Sequence, residues 1–263
     1  MKNLTLICFL FSTTLFAQTQ GTLMIVGGGN MKGSGILEKF KELAGEDAKL
    51  VIIPTAYSDK KLSSQNFKKN WTGLARYIEL GFKNITVLHT RDPKVANSKS
   101  FVKSLKDADA VWITGGRQWR LADAYLGTKT QDEILNVVKR GGVVAGTSAG
   151  ASIMASFMVR GDTRNNRIMI GDHIEGFGYL ANTAIDQHVF KRNRQFDMVP
   201  VIADRPQLLG IGIDENTALL VNDNRAEVIG SSFVLIYRNK NLDNYLEAPF
   251  KVFGAGQVLN IAR

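Results

Sequence analysis

Val143-Val144-Ala145-Gly146-Thr147-Ser148-Ala149-Gly150-Ala151 reads as a buried strand that breaks into Gly-x-Ser-x-Gly and restarts as a helix. A serine on a sharp strand-to-helix turn is held clear of the backbone, its oxygen exposed. The flanking glycines permit the tight turn and the close approach of neighbouring backbone. Alone the pattern is unspecific, because chance supplies it in glycine-rich chains. The apolar strand before it and the small-residue helix start after it, Ala149-Gly150-Ala151-Ser152, give it weight. The run predicts a nucleophile elbow, with Ser148 as the candidate nucleophile.

Working outward, the N-terminal two-thirds alternates strand and helix. Strands are predicted at Thr22–Val26, Leu50–Ile53, Ile85–Leu88 and Ala110–Thr114, and helices at Ile36–Leu43, Asn66–Leu80, Gln118–Leu126 and Asp132–Lys139. The apolar runs are continuous rather than alternating, which indicates a parallel sheet covered on both faces. Sites in such sheets lie beyond the carboxyl ends of the strands. Gly27 to Asn30, Pro54-Thr55, Gly115 to Gln118 and Gly146 to Ser148 all fall there. Past residue 180 the pattern predicts a strand at Thr183–Asp186, a helix at Arg192–Ile202 and a buried strand at Leu208–Ile213. Short β segments follow at Thr217–Val221, Ala226–Ile229 and Phe233–Tyr237, with a turn at Asn222-Asp223-Asn224.

The start of the 263-residue chain has a different character. Lys2, the apolar stretch Leu4 to Leu15 and Phe16-Ala17-Gln18 form the pattern of a secretory signal over residues 1–17. That stretch is too short and wrongly flanked for a membrane span. The expectation is therefore an exported protein, periplasmic or secreted, without a membrane span, whose residues 21–263 make one α/β domain. Cys8, the only cysteine, lies in the leader, so the mature chain has no disulfide framework, cysteine nucleophile or thiolate metal site. His89, His173 and His188 show no metal-ligand spacing, and neither a metal nor another cofactor is expected. The net charge of +9 comes from dispersed residues without a nucleic-acid motif, which predicts a solvated basic surface rather than a nucleic-acid partner. Such a surface still favours acidic substrates.

A serine nucleophile needs a base, and the base needs an orienting acid. His89 ends a strand and fits a structural role, and His173 lies in the loop Gly171-Asp172-His173-Ile174. His188 ends Ala184-Ile185-Asp186-Gln187-His188, an apolar strand running into polar residues at the mouth of the sheet, and is the preferred base. Asp162, Glu175, Asp186 and Glu215 are the candidate acids. Glu215 belongs to an acidic pair just after a buried strand, although Asp214 there also suits a turn cap. An oxyanion hole needs two inward N–H groups. Ala149, at the helix start, is one source, and the Gly115-Gly116 turn, through Gly116, is the other.

With these landmarks in place the chain resembles the serine peptidases related to cyanophycinase and to peptidase E, an aspartyl dipeptidase. The resemblance covers nearly all of the mature chain. It rests on Thr114-Gly115-Gly116-Arg117-Gln118, the elbow from Gly146 to Ala151, Asp186-Gln187-His188 followed by Arg192-x-Arg194, and Ile211 to Ala218. It implies a class I glutamine amidotransferase-like, flavodoxin-like α/β fold with serine in place of cysteine, a nucleophile elbow and extra C-terminal β segments. It further implies Ser148 as nucleophile, His188 as base, Glu215 as acid, and a homodimer. Gln118, Asp186, Gln187, Arg192 and Arg194 match positions that in cyanophycinases surround the aspartate backbone and arginine branch of cyanophycin, a poly-aspartate released as β-aspartyl-arginine. The chain departs from that pattern at Arg117, where Asp or Asn is usual, and at Asp197, where a third arginine is usual. Both change the charge near the pocket and leave the substrate open between cyanophycin-like and α- or isoaspartyl peptides.

Two rival readings differ in class. An α/β-hydrolase esterase shares the elbow, but its histidine follows the acid late in the chain, and no histidine follows His188. A non-catalytic binding protein would have no need to retain Ser148, His188 and Glu215 together.

Overall fold

The computed structural model describes residues 21–62, 72–242 and 248–262. The predicted signal over residues 1–17 lies outside the described residues, as do the first six residues, 66–71, of the helix predicted at Asn66–Leu80.

The apolar runs form β1 (Thr22–Val26), β2 (Lys49–Ile53), β3 (Asn84–Val87), β4 (Ala110–Ile113) and β5 (Val143–Thr147). These pair in parallel in the order β1-β5-β4-β2-β3. Alternate residues of each strand face opposite layers. Met24, Val26, Leu50, Ile52, Trp112 and Ala145 pack with Ile36, Leu37 and Phe40 of α1 (Ile36–Ala44) on one side. On the other side Leu23, Ile25, Val51, Ile53, Val111, Ile113 and Val144 meet Leu121, Ile134 and Val137. Burial on both faces accounts for the continuous apolar runs of β1, β2, β4 and β5, whereas β3, at the sheet edge, is largely exposed.

Among the described residues five short helices follow α1: α2 (Asp59–Leu62), α3 (Thr72–Glu79), α4 (Pro93–Ala96), α5 (Lys103–Lys106) and α6 (Gln118–Tyr125). The chain continues with α7 (Lys129–Lys139), α8 (Ala149–Ser152) and, late in the chain, α9 (Met198–Asp204). Among the described residues no helix is long and apolar enough to cross a membrane.

The C-terminal β segments divide between two sheets, which the sequence did not foretell. β9 (Thr217–Asn222), β10 (Arg225–Gly230) and β13 (Val258–Asn260) extend the first sheet antiparallel beyond β1. β6 (Ala155–Phe157), β7 (Leu180–Gln187), β8 (Leu209–Ile213), β11 (Phe233–Tyr237) and β12 (Lys251–Gly254) build a second sheet in the order β12-β11-β8-β7-β6. One face of that sheet, with Ile185, Ile211, Ile213, Val234 and Ile236, joins the central core. The other, with Ala184, Leu235 and Tyr237, packs on Met198, Val201 and Ile202 of α9.

The helix predicted at Arg192–Ile202 is corrected to Met198–Asp204, preceded by turns. Pro200 lacks the N–H that would bond back to residue 196, and its ring clashes with that carbonyl, so it is tolerated only in the first turn of a helix. Upstream, Asn193 takes φ 52° and Arg194 N–H bonds back to the Val189 carbonyl at 2.6 Å.

Candidate active site

β1 and β5 run in register, so Val26 lies beside Thr147 and their carboxyl ends open on one edge. Ser148 follows β5 at φ 53° and ψ −112°, and its N–H donates to the Val26 carbonyl at 2.9 Å. A non-glycine residue holds such a left-handed conformation only where its surroundings enforce it. The two glycines of the elbow are required by contact rather than by torsion. A Cβ on Gly146 would sit 2.1 Å from the Gly150 carbonyl oxygen, and one on Gly150 would sit 2.3 Å from that of Ile113.

The second sheet brings the other parts. β7 and β8 are parallel with Gln187 opposite Ile213, so the residues that follow, His188 and Glu215, emerge at the same edge. That edge is stitched to the end of β1. His188 N–H donates to the Gly27 carbonyl at 3.1 Å and Asn216 N–H to the Gly28 carbonyl at 2.9 Å. His188 itself stands at φ 58°. Its ring lies on Gly28, where a Cβ would come within 2.2 Å of the ring Cε1. Gly28, in the Gly27-Gly28-Gly29 run at a strand end, is thus the seat of the histidine, a role that only the fold reveals.

Ser148 Oγ lies 2.9 Å from His188 Nε2, and His188 Nδ1 lies 2.6 Å from Glu215 Oε1. His188 is buried, and burial followed by the nearby Arg192 charge depresses its pKa below the usual histidine value, against the pull of Glu215. The imidazole is therefore neutral near neutral pH, the state that can take a proton. Asp214, the other half of the acidic pair, is a turn cap. It accepts the N–H groups of Phe190 at 3.1 Å and Lys191 at 2.9 Å, and the Ser232 hydroxyl at 2.7 Å.

The Gly115-Gly116 turn borders the serine. A Cβ on Gly115 would lie 3.2 Å from Ser148 Cβ and 3.7 Å from its Oγ. Gly116 takes φ 146° against the Ala56 carbonyl. Ala149 is the first residue of α8, where backbone N–H groups lack intrahelical partners.

The remaining candidates are distributed unevenly. Arg192 is exposed and its N–H bonds to the His188 carbonyl at 3.0 Å. Arg194 reaches the Gln187 carbonyl at 3.4 Å and stands 3.9 Å from Asp186. Gln118 and Asp186, expected to face substrate, turn inward instead. Gln118 Nε2 donates to the carbonyls of Val159 at 2.9 Å and Arg160 at 2.8 Å. Both Asp186 oxygens are taken by Arg160, at 2.7 and 2.9 Å. Gln187 is buried, donates to Ser152 Oγ at 3.5 Å, and leaves its Oε1 without a partner among the described residues.

Of the other acids, Asp162 is held by Arg164 at 2.8 Å and Glu175 is exposed beside Phe157. His89 bonds to Thr55 Oγ1 at 2.9 Å, and His173 to Asp123 at 2.7 Å and Asp172 at 3.1 Å. Asp197, one of the two departures, pairs with Arg160 at 2.6 Å. At the other, half-buried Arg117 leaves its Nη1 without a partner among the described residues. No sequence signal singled out Arg160, since it lies in a loop outside every motif.

The profile of peptidase family S51 matches residues 23–229. The chain is 32% identical over 225 residues to the cyanophycinase of Geminocystis herdmanii, covering 82% of this chain and 80% of that one. It is also 32% identical over 228 residues to the cyanophycinase of a Nostoc species, covering 83% and 74%. A crystal structure of a peptidase from an acI-B1 Actinobacterium superposes with a TM-score of 0.70 at 26% identity, over 92% of this chain and 98% of that one. A Listeria monocytogenes protein of the peptidase E type shares the fold at a TM-score of 0.58 and 17% identity, over 81% and 100%.

Proposed function

The chain belongs to peptidase family S51 and is a serine-type peptidase, and from that premise we propose an exported exopeptidase of the cyanophycinase type. It cleaves aspartyl-containing peptides of the β-aspartyl-arginine kind through Ser148, His188 and Glu215. Residues 1–17 are its signal peptide and 21–263 its single domain.

In this reading His188 Nε2 takes the proton of Ser148 Oγ as the oxygen attacks the scissile carbonyl. The Gly116 and Ala149 N–H groups receive the developing oxyanion. Glu215 stabilises the imidazolium, which then protonates the leaving amine, and water releases the acyl-enzyme by the same route in reverse. Arg192 and Arg194 hold substrate carboxylates by charge-assisted bonds. The observation that carries the proposal is the unbroken chain of contacts, 2.9 Å from Ser148 to His188 and 2.6 Å from His188 to Glu215.

The test is incubation of the purified protein and its Ser148→Ala variant with cyanophycin, β-aspartyl dipeptides, α-aspartyl dipeptides and a simple ester. Ser148-dependent release from β-aspartyl substrates is expected. Turnover of α-aspartyl dipeptides alone moves the assignment to a peptidase E type of activity. Cleavage of the ester alone, or of nothing, overturns the peptidase substrate and leaves an esterase or a binding protein.

A further inference from the structure

Arg160 takes no part in the relay from Ser148 to Glu215, yet it is the most heavily engaged side chain near it. It lies just beyond β6 at φ 58° and is 2% exposed. Its Nε and Nη2 donate to the two oxygens of Asp186 at 2.7 and 2.9 Å. Nη2 also donates to Asp197 at 2.6 Å, and Nη1 to the Asn166 carbonyl at 3.0 Å. Its backbone N–H donates to the Met169 carbonyl at 2.9 Å, and its own carbonyl receives Gln118 Nε2 at 2.8 Å.

The contacts to Asp186, Asp197 and Gln118 end on segments that carry part of the site. Asp186 accepts the N–H of Gln187 at 2.9 Å, and the next residue is His188. Gln118 opens α6 directly after the Gly115-Gly116 turn that borders Ser148. Asp197 closes the loop that bears Arg192 and Arg194. A buried guanidinium is costly unless its donors are met and its charge is balanced. Here Asp186 and Asp197 balance it, four of its five N–H donors are met, and such a network rigidifies the segments it joins. His188 needs that rigidity, because its left-handed backbone persists only where neighbours over-determine it.

We infer that Arg160 is a positioning residue. It locks the end of β7, and with it the His188 ring, in register with the Gly115-Gly116 turn, so that nucleophile, base and oxyanion donors keep their spacing. The inference rests on Ser148 being the nucleophile and is independent of which peptide is cleaved. It also accounts for Asp197 as the second counter-ion of this hub.

The readout is phosphonylation of Ser148 by a fluorophosphonate probe, which reports nucleophile and base without a peptide, alongside kcat and KM on the best peptide. In Arg160→Ala, kcat and the phosphonylation rate fall about 100-fold, the scale of a displacement near 1 Å at a reacting group, while KM stays within about threefold. Added ethylguanidinium recovers at least about tenfold of both rates by refilling the site between Asp186 and Asp197. Wild-type rates in Arg160→Ala, or loss without recovery in a folded variant, overturn the inference. If Arg160→Ala fails to fold, Asp197→Asn decides, since the Asp197 side chain is 42% exposed and Asp186 still balances the buried guanidinium in that variant. That variant should lose about three- to tenfold in kcat with KM unchanged, and full kcat refutes the role. Failure of the wild-type protein to label at Ser148 is a different outcome, which sinks the nucleophile itself.

Discussion

Glu215→Gln keeps the shape of the side chain and removes its charge. In the native site His188 Nδ1–H donates to Glu215 across 2.6 Å, which leaves Nε2 bare to accept from Ser148 Oγ at 2.9 Å. A glutamine carbonyl can still accept from Nδ1–H, so one amide orientation preserves the tautomer. The other offers an N–H to Nδ1 and places the proton on Nε2, where it blocks the base. In both, the imidazolium formed during attack loses its counter-charge. A hydrogen bond to a charged group contributes about 1.5–3 kcal/mol, or roughly 10- to 150-fold in rate. The Glu215 side chain is 22% exposed, and water screens part of its charge. The expected loss in kcat is therefore about 10- to 50-fold, well short of the ~10⁴ that follows amidation of a fully buried triad aspartate. KM should hold, because the interaction strengthens only as charge develops. The assay is steady-state hydrolysis of a Ser148-dependent aspartyl peptide, with Asp162→Asn and Glu175→Gln as comparators, both within about threefold of wild type. Wild-type rates in Glu215→Gln, or an equal loss in Asp162→Asn, would refute the assignment of the acid.

Three further outcomes follow from the same geometry. Gly28→Ala puts a methyl 2.2 Å from the His188 ring, where ordinary contact begins at 3.4 Å, so kcat should fall about 100-fold. Gly33→Ala shares the positive φ (72°) but meets nothing within 4 Å, and it should leave kcat unchanged; equal losses in the two would show backbone strain, not ring displacement, to be the cause. The pH profile of kcat/KM should fall on the acid side through an apparent pKa below the usual histidine value of 6.5, because burial and then Arg192 hold His188 down and only the neutral ring accepts a proton. Arg192→Gln removes one depressing charge while Arg194 and Glu215 remain, so that limb should move to higher pH, and a stationary limb contradicts the cause. Since Arg160 already occupies both oxygens of Asp186, that carboxylate does not read a substrate arginine. Aspartyl peptides with a neutral partner should be cleaved with kcat/KM within about tenfold of β-aspartyl-arginine, whereas dependence of ~10⁴ would mark a polar pocket built for that side chain.

Much of the fold was legible from order along the chain. The strands at Thr22–Val26, Lys49–Ile53, Ala110–Ile113 and Val143–Thr147 announce themselves as apolar runs because both of their faces are buried. The elbow announces itself through Gly146 and Gly150, whose contacts lie within a few residues or on the adjoining strand. Less legible was the division of the C-terminal strands, since β8 and β9 are separated by only Asp214 to Asn216 and yet join different sheets. Local composition does not record the sharp turn that Asn216 makes at φ 56°.

What the sequence determined by itself is whatever depends on near neighbours: a parallel α/β core, a serine on a strained turn, a histidine at a strand end, an acidic pair after a buried strand. Tertiary structure decided which of these polar groups meet. Ser148 and His188 are 40 residues apart, His188 and Glu215 are 27 apart, and Arg160 and Asp186 are 26 apart. Those encounters depend on two sheets bringing their carboxyl ends to one edge, with Gly28 leaving room for the ring. The same encounters turned Gln118 and Asp186 inward and made Arg160 a hub, because a buried charge settles on whatever opposite charge the packing puts within reach.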